Sequence, residues 1–273
     1  MKLSEVFSYG PLVRLEQLIW AVDREVRWPR GMRRRHEARD MSTYECRVSS
    51  QHGEDGILEE LTRRLGIVSG YFVEFGVGDG RECNCAKLVF NGAWGGLMIE
   101  AGERDHAAAE RRYAAAPGVA VRQAFVSVAN LEGLFVEAGV PVDFDVLSID
   151  VDGNDYWLWR SLVAFRPKIV VIEFNAFFAP PERWVLPYDP AHRWNRDWRF
   201  GASLAALETL GAERGYALIG CDGSATNAFF VRNELLAAVD FPSVSSEEAY
   251  AAATKFRHFS RSKAGMPFAN GYA

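Results

Sequence analysis

Hydrophobic and polar positions alternate along this chain in two regular patterns, and their order predicts the architecture. Short apolar runs at residues 71–75, 96–99, 119–125, 144–149 and 168–172 are strand-sized, with little polar interruption, the mark of strands covered on both faces. Between them, residues 88–91, 103–115, 131–138 and 155–165 follow helical spacing and supply the crossovers that parallel neighbours need. Ahead of the first strand, residues 53–65 place Ile57, Leu58, Leu61 and Leu65 on one helical face. Strand alternating with helix predicts an α/β fold with five parallel strands. The rhythm then breaks: a helix at 203–214 leads to a strand at 216–220, a turn at 221–226 rich in Gly, Asp and Ser, and a strand at 227–231. Strand, short turn, strand is a hairpin, so the expectation is a seven-stranded, mainly parallel sheet finished by an antiparallel pair.

Three regions surround or interrupt this pattern. Residues 1–49 read as a helical extension in which Leu12, Leu15, Leu18, Ile19 and Val22 mark an amphipathic helix at 11–27. Behind that helix come Arg24, Arg27, Arg30, Arg33, Arg34, Arg35 and Arg39, read first as a solvated linker. An interface of a homo-oligomer, a lid, or a clamp for a nucleotide-linked partner are their other roles. The α/β domain is expected over 50–240 and a tail over 241–273. Within the domain, an insert at 177–200 carries Trp184, Tyr188, His192, Trp194 and Trp198 among several prolines. A loop of that length in a compact domain is usually a lid or a binding surface, and its rings serve either stacking on an acceptor or the insert's own core.

Composition narrows the function. At 273 residues, 49% hydrophobic and 25% charged, the chain is an ordinary globular protein with enough length for a large core. Its formal net charge of −5 argues against nucleic-acid binding through global charge, which needs a surplus of Lys and Arg. No apolar run approaches the roughly 18 residues of a membrane-spanning helix. Cys46, Cys83, Cys85 and Cys221, with no secretory leader at residues 1–5, fit a reducing, cytoplasmic compartment, and Cys83 and Cys85 read as small buried residues.

The candidate chemistry gathers at strand ends. The first strand runs through Glu74 into Gly76, Gly78, Asp79 and Gly80, a glycine loop that lets backbone approach a ligand. A dinucleotide fingerprint would need glycine at position 81, where Arg81 stands, so a nicotinamide cofactor is disfavoured. The second strand ends at Glu100, about twenty residues on, where a carboxylate can accept both hydroxyls of a ribose. The fourth ends in Asp150 and Asp152 and the fifth in Glu173 and Asn175, two apart and so on one face of an extended chain. Asp150, Glu173 and Asn175 are thus candidate hard-oxygen ligands for Mg²⁺, or the acids form an acid/base pair without metal. A calcium loop starting at Asp152 lacks its later Gly and Glu. Asp150, Asp152 and, from the insert, His192 are the candidate proton acceptors.

Taken in order, Ser50-Gln51-His52-Gly53-Glu54-Asp55-Gly56, Phe72 through Gly80, Asn84, Gly96 through Glu100, Leu147 through Gly153, Glu173-Phe174-Asn175, Gly201-Ala202-Ser203 and Asn227-Ala228-Phe229-Phe230-Val231 resemble the FkbM-type methyltransferases. That resemblance covers about Ser50 to Val231. It implies a class I, Rossmann-like methyltransferase fold and transfer of a methyl group from S-adenosylmethionine to an oxygen of a small polar acceptor such as a sugar or natural-product hydroxyl. It further implies a cofactor pocket from Glu74, Gly76, Gly78 and Asp79, with Glu100 on the ribose, Gln51, Asp55 and Asn84 near the methionine end, and Asn130 near the adenine. Two rivals stay open: methylation of a nitrogen or carboxylate without metal, and a non-catalytic fold that binds a nucleoside or a partner protein.

Overall fold

The computed structural model describes residues 40–90 and 93–254. The helix expected at 11–27, the arginine cluster and the last part of the tail lie outside these residues. In chain order the elements are a 3₁₀ turn (Met41–Tyr44), α1 (Glu54–Arg64), β1 (Tyr71–Phe75), α2 (Ala86–Phe90), β2 (Gly95–Glu100), α3 (Glu103–Tyr113), β3 (Val119–Gln123), α4 (Leu131–Glu137), β4 (Val146–Ile149), α5 (Asp155–Ser161) and β5 (Ile169–Glu173). Then follow α6 (Leu204–Glu213), β6 (Tyr216–Cys221), β7 (Asn227–Arg232), a second 3₁₀ turn (Asn233–Leu235), α7 (Leu236–Val239) and α8 (Ser246–Thr254).

Seven strands form one sheet in the order β3-β2-β1-β4-β5-β7-β6. The first five are parallel, and β7 pairs antiparallel with both β5 and β6. This is the class I methyltransferase fold, as the alternation of elements predicts. Side chains alternate across the sheet with period two, so consecutive apolar residues serve opposite layers. On one face Val73, Phe75, Leu97, Ile99, Val170 and Ile172 pack under α4, α5, α6 and α8 through Phe135, Leu158, Trp159, Leu207 and Ala253. On the other Phe72, Met98, Val146, Ile169 and Val171 pack under α1, α2 and α3 through Leu58, Leu61, Leu88 and Tyr113.

Several boundaries move. The run expected at 119–125 leaves the sheet after Gln123, which sets Phe125 partly exposed beyond the strand end. The helix expected at 155–165 stops at Ser161, and Phe165 turns back onto Phe135, ring centroids 5.0 Å apart. Residues 246–254, for which the sequence indicates no role, form α8; Ala249 and Ala253 are buried, and the Tyr250 hydroxyl donates to the Ala176 carbonyl at 2.8 Å.

Strand order reverses between β1 and β4, and in such sheets the crevice opens at the carboxyl ends of the strands flanking that reversal. Backbone contact there is so close that a Cβ on Gly76, whose φ is +69°, would lie 1.7 Å from the Asp150 carbonyl oxygen. Only glycine lets the β1 loop and the β4 loop meet at this point.

Candidate active site

A cavity of about 520 Å³ opens at the carboxyl ends of β1, β2, β4 and β5, within the range of small-molecule sites. One wall is the glycine loop and the end of β2. Gly76 donates its N–H to the Ile99 carbonyl at 2.9 Å. Gly78, at φ +53°, has open space where a Cβ would stand. Glu100 ties this wall together: one carboxylate oxygen accepts the Gly78 N–H at 2.8 Å and the other the Gly102 N–H at 2.7 Å, while the side chain still lines the cavity. Gln51, Asp105, Ala124, Phe125 and Val126 complete it.

A second stretch of the lining is acidic. Asp150, Asp152 and Glu173 each offer a carboxylate oxygen, all within 4.8 Å of one another. Burial, and then the charges of Asp155 and Asp152, push the Asp150 carboxyl well above the usual carboxylate range, and burial, and then the charges of Asp150, Asp155 and Asp152, do the same to Glu173. Burial and Asp155 raise Asp152 as well, and His192 opposes them. The loop carrying these acids is held by Asp155, fully buried, which accepts the Val151 and Gly153 N–H groups at 2.8 Å each. Asp152 sits in the left-handed region at φ +53°, so that the chain turns its carboxylate into the cavity.

Asn175, expected beside these acids, does not line the cavity. Strand β5 ends at Glu173, so the two-residue alternation stops before Asn175 is reached. The Asn175 amide is fully buried and donates to the carbonyls of Trp198 and Phe200 at 2.7 and 2.8 Å, and its oxygen accepts the Phe177 N–H at 3.1 Å. It anchors the insert, and the third carboxylate oxygen within 4.8 Å is that of Asp152.

The remaining expected residues surround the cavity without lining it. Glu74 shares a sheet face with Phe72 and points into the layer under α2, where its oxygens accept the N–H groups of Asn84 at 2.6 Å and Cys85 at 3.0 Å. Burial outweighs those two bonds and pushes its carboxyl up to about 7. Asn84 reaches across to donate to the Ser148 hydroxyl at 3.1 Å. Asp55 gathers the N–H groups of Val48, Ser49 and Ser50 on one oxygen, shaping the loop that brings Gln51 to the cavity. Asp79 accepts the Arg81 N–H at 3.1 Å, and Asn130 fixes the loop after β3 by accepting from Ser127 N and donating to the Phe125 carbonyl.

The insert roofs the acidic wall. Phe178 stacks on Trp184 with centroids 4.3 Å apart, and Trp198 packs on both rings, so these form the insert's own core. Trp194, 39% exposed, lines the cavity, and the Arg193 guanidinium lies 3.7 Å over the Phe125 ring. His192 lies against Gly153, close enough that a Cβ there would meet its Cδ2 at 2.4 Å, and its Nε2 is buried with no hydrogen-bond partner. Sequence reasoning missed Phe125, Asn154 and Thr226. Phe125 follows a strand end, the signal that found Glu100, and Thr226 precedes β7 beside Glu173 in the sheet.

No protein-family model matches the chain, and no curated protein matches it. Among solved structures, the N-terminal domain of EvdMO1 with SAH bound is 12% identical with a TM-score of 0.45, over 67% of this chain and 80% of its own. A Klebsiella pneumoniae protein described as an O-methyltransferase is 16% identical, TM-score 0.42, over 73% and 89%. A Staphylococcus aureus protein described as a caffeoyl-CoA O-methyltransferase is 12% identical, TM-score 0.45, over 80% and 98%. These are likenesses of fold. Among the described residues, no helix is long and apolar enough to cross a membrane, and Cys83, Cys85 and Cys221 are buried thiols.

Proposed function

We propose that this chain is an S-adenosylmethionine-dependent methyltransferase of FkbM type that methylates an oxygen of a small polar acceptor, a sugar or natural-product hydroxyl, in the cytoplasm. One observation carries the reading: an open glycine loop braced by a strand-end carboxylate and a cluster of acids line one cavity. The glycine-loop wall fits the cofactor, since Gly78 leaves room for a ligand where a side chain would stand and Glu100 is placed to accept ribose hydroxyls. The helix terminus after the loop is not a phosphate site, because Glu74 already takes the N–H groups of Asn84 and Cys85 just ahead of α2.

When bound, S-adenosylmethionine supplies a methyl group on a positively charged sulfur, which is displaced in line by the acceptor oxygen. The protein's part is to align that oxygen and receive its proton. Asp150 and Asp152, with carboxyls raised above the ordinary range, are better matched to that proton than unperturbed carboxylates. His192 covers Asp152 from the insert, and Trp194 and Phe125 give apolar faces on which a sugar ring can rest. Residues 50–240 hold all of this, with the insert at 177–200 as roof.

A divalent cation also fits the acidic wall. Asp150, Asp152 and Glu173 would hold Mg²⁺, which prefers such hard oxygens and would polarise the acceptor oxygen.

Calorimetric titration of S-adenosylhomocysteine into wild type and Glu100→Ala, each with Mg²⁺ and with EDTA, tests the reading without knowledge of the acceptor. The variant is expected to bind about ten- to a hundredfold more weakly, the worth of a charged hydrogen-bond acceptor. Wild type that fails to bind in either buffer overturns the proposal in favour of a non-catalytic fold. A chelator-insensitive enzyme that methylates amines or carboxylates, and not hydroxyls, identifies the metal-free alternative.

A further inference from the structure

The charge of the cavity is one-sided. Among the described residues, apart from His192, every ionisable side chain on its wall is an acid: Glu100, Asp105, Asp150, Asp152 and Glu173. Among the described residues no lysine or arginine lines it. Arg193 lies over the ring of Phe125, a lining residue, and donates to the carbonyls of Ala191 and His192. Glu100 accepts the Gly78 and Gly102 N–H groups, which offset part of its charge. Asp150, Asp152 and Glu173, in contrast, gather within 4.8 Å of one another, and Glu173 Oε2 is buried with no hydrogen-bond partner. A buried carboxylate oxygen without a donor is costly, and a ligand that brings positive charge relieves the cost.

We propose that Asp150, Asp152 and Glu173 make this cavity select its ligands by positive charge, so that the sulfonium cofactor is held more tightly than the uncharged thioether product. The proposal rests on the methyltransferase reading and adds its direction and its acceptor class. Once the methyl group has left, sulfur is neutral, the attraction of the acidic wall is gone, and the product is released more readily than cofactor is lost. By the same field, acceptors bearing phosphate or carboxylate are turned away, and uncharged or ammonium-bearing ones are admitted.

Sinefungin, which carries an ammonium where the cofactor carries its methyl-sulfonium, and S-adenosylhomocysteine, which is neutral there, separate charge from shape. Calorimetric titration of both into the full chain in EDTA is expected to show sinefungin binding about tenfold or more tightly, as one close charge pair requires. Asp152→Asn and Glu173→Gln, each checked for folding by circular dichroism, are expected to shrink that preference to about threefold or less and to leave S-adenosylhomocysteine nearly unaffected. Two variants are used because Glu173 is the more buried, and either folded one decides. Equal affinity for the two ligands in wild type overturns the proposal, as does a preference that survives both substitutions. If Mg²⁺ abolishes the preference, the cation of the acidic wall is the metal and the proposal fails. Wild type that binds neither ligand overturns the methyltransferase reading itself.

Discussion

Glu74 gives the sharpest physical prediction, because its burial and its hydrogen bonds pull its titration in opposite directions. Two backbone N–H groups, from Asn84 and Cys85, favour the charged carboxylate, but complete removal from water disfavours it more and lifts the carboxyl from 4.5 to about 7. In the unfolded chain Glu74 titrates at its ordinary value. Below that value both states are protonated and nothing is lost; as pH rises from about 4.5 to about 7 the unfolded chain gives up its proton first, so stability falls. A difference of about 2.5 pH units at 1.36 kcal/mol each is about 3 kcal/mol, fully lost above the folded-state value. Glu74→Gln removes the titration. Its amide meets the Cys85 N–H donor to donor, a penalty that does not change with pH. Urea unfolding followed by tryptophan fluorescence, at about pH 4.5 and about pH 8, is expected to show wild type losing about 3 kcal/mol more than the variant. Parallel pH profiles for the two proteins refute the reasoning, and so does a wild type that gains stability relative to the variant as pH rises.

Two further substitutions examine the roof and the acidic wall. Gly153→Ala places a methyl group 2.4 Å from His192 Cδ2, so the imidazole must leave the cavity. The expected outcome is a shifted His192 ring resonance in long-range ¹H–¹⁵N spectra with S-adenosylhomocysteine affinity within about twofold of wild type; an unmoved resonance contradicts the placement of His192. Asn175→Ala removes three buried hydrogen bonds from the insert and is expected to cost about 2–4 kcal/mol in urea unfolding, with first proteolytic cleavage inside residues 177–200. Undiminished stability together with lost Mn²⁺ binding would restore Asn175 to the ligand set.

Much of the site was legible because one rule governs where it lies. In a parallel sheet every strand presents its carboxyl end to the same side, so Gly78, Glu100, Asp150 and Glu173, far apart in sequence, reach one cavity once the strands are recognised. The rule fails one step past each strand. Asn175 looked like a partner of Glu173 by alternation, but the chain had left the sheet and the buried amide was needed by carbonyls at 198 and 200. Asp152 reaches the wall only through a left-handed turn that Asp155 holds in place.

The sequence by itself determined the alternation of strands and helices and the closing hairpin, because apolar period and turn chemistry are local properties. Tertiary structure alone decided which polar groups are spent on the fold and which remain for a ligand. Glu74 caps the backbone ahead of α2 and Asn175 anchors the insert, whereas Glu173 keeps a buried oxygen unpaired. That division depends on which backbone donors and acceptors distant segments bring within about 3 Å, and no local pattern encodes it.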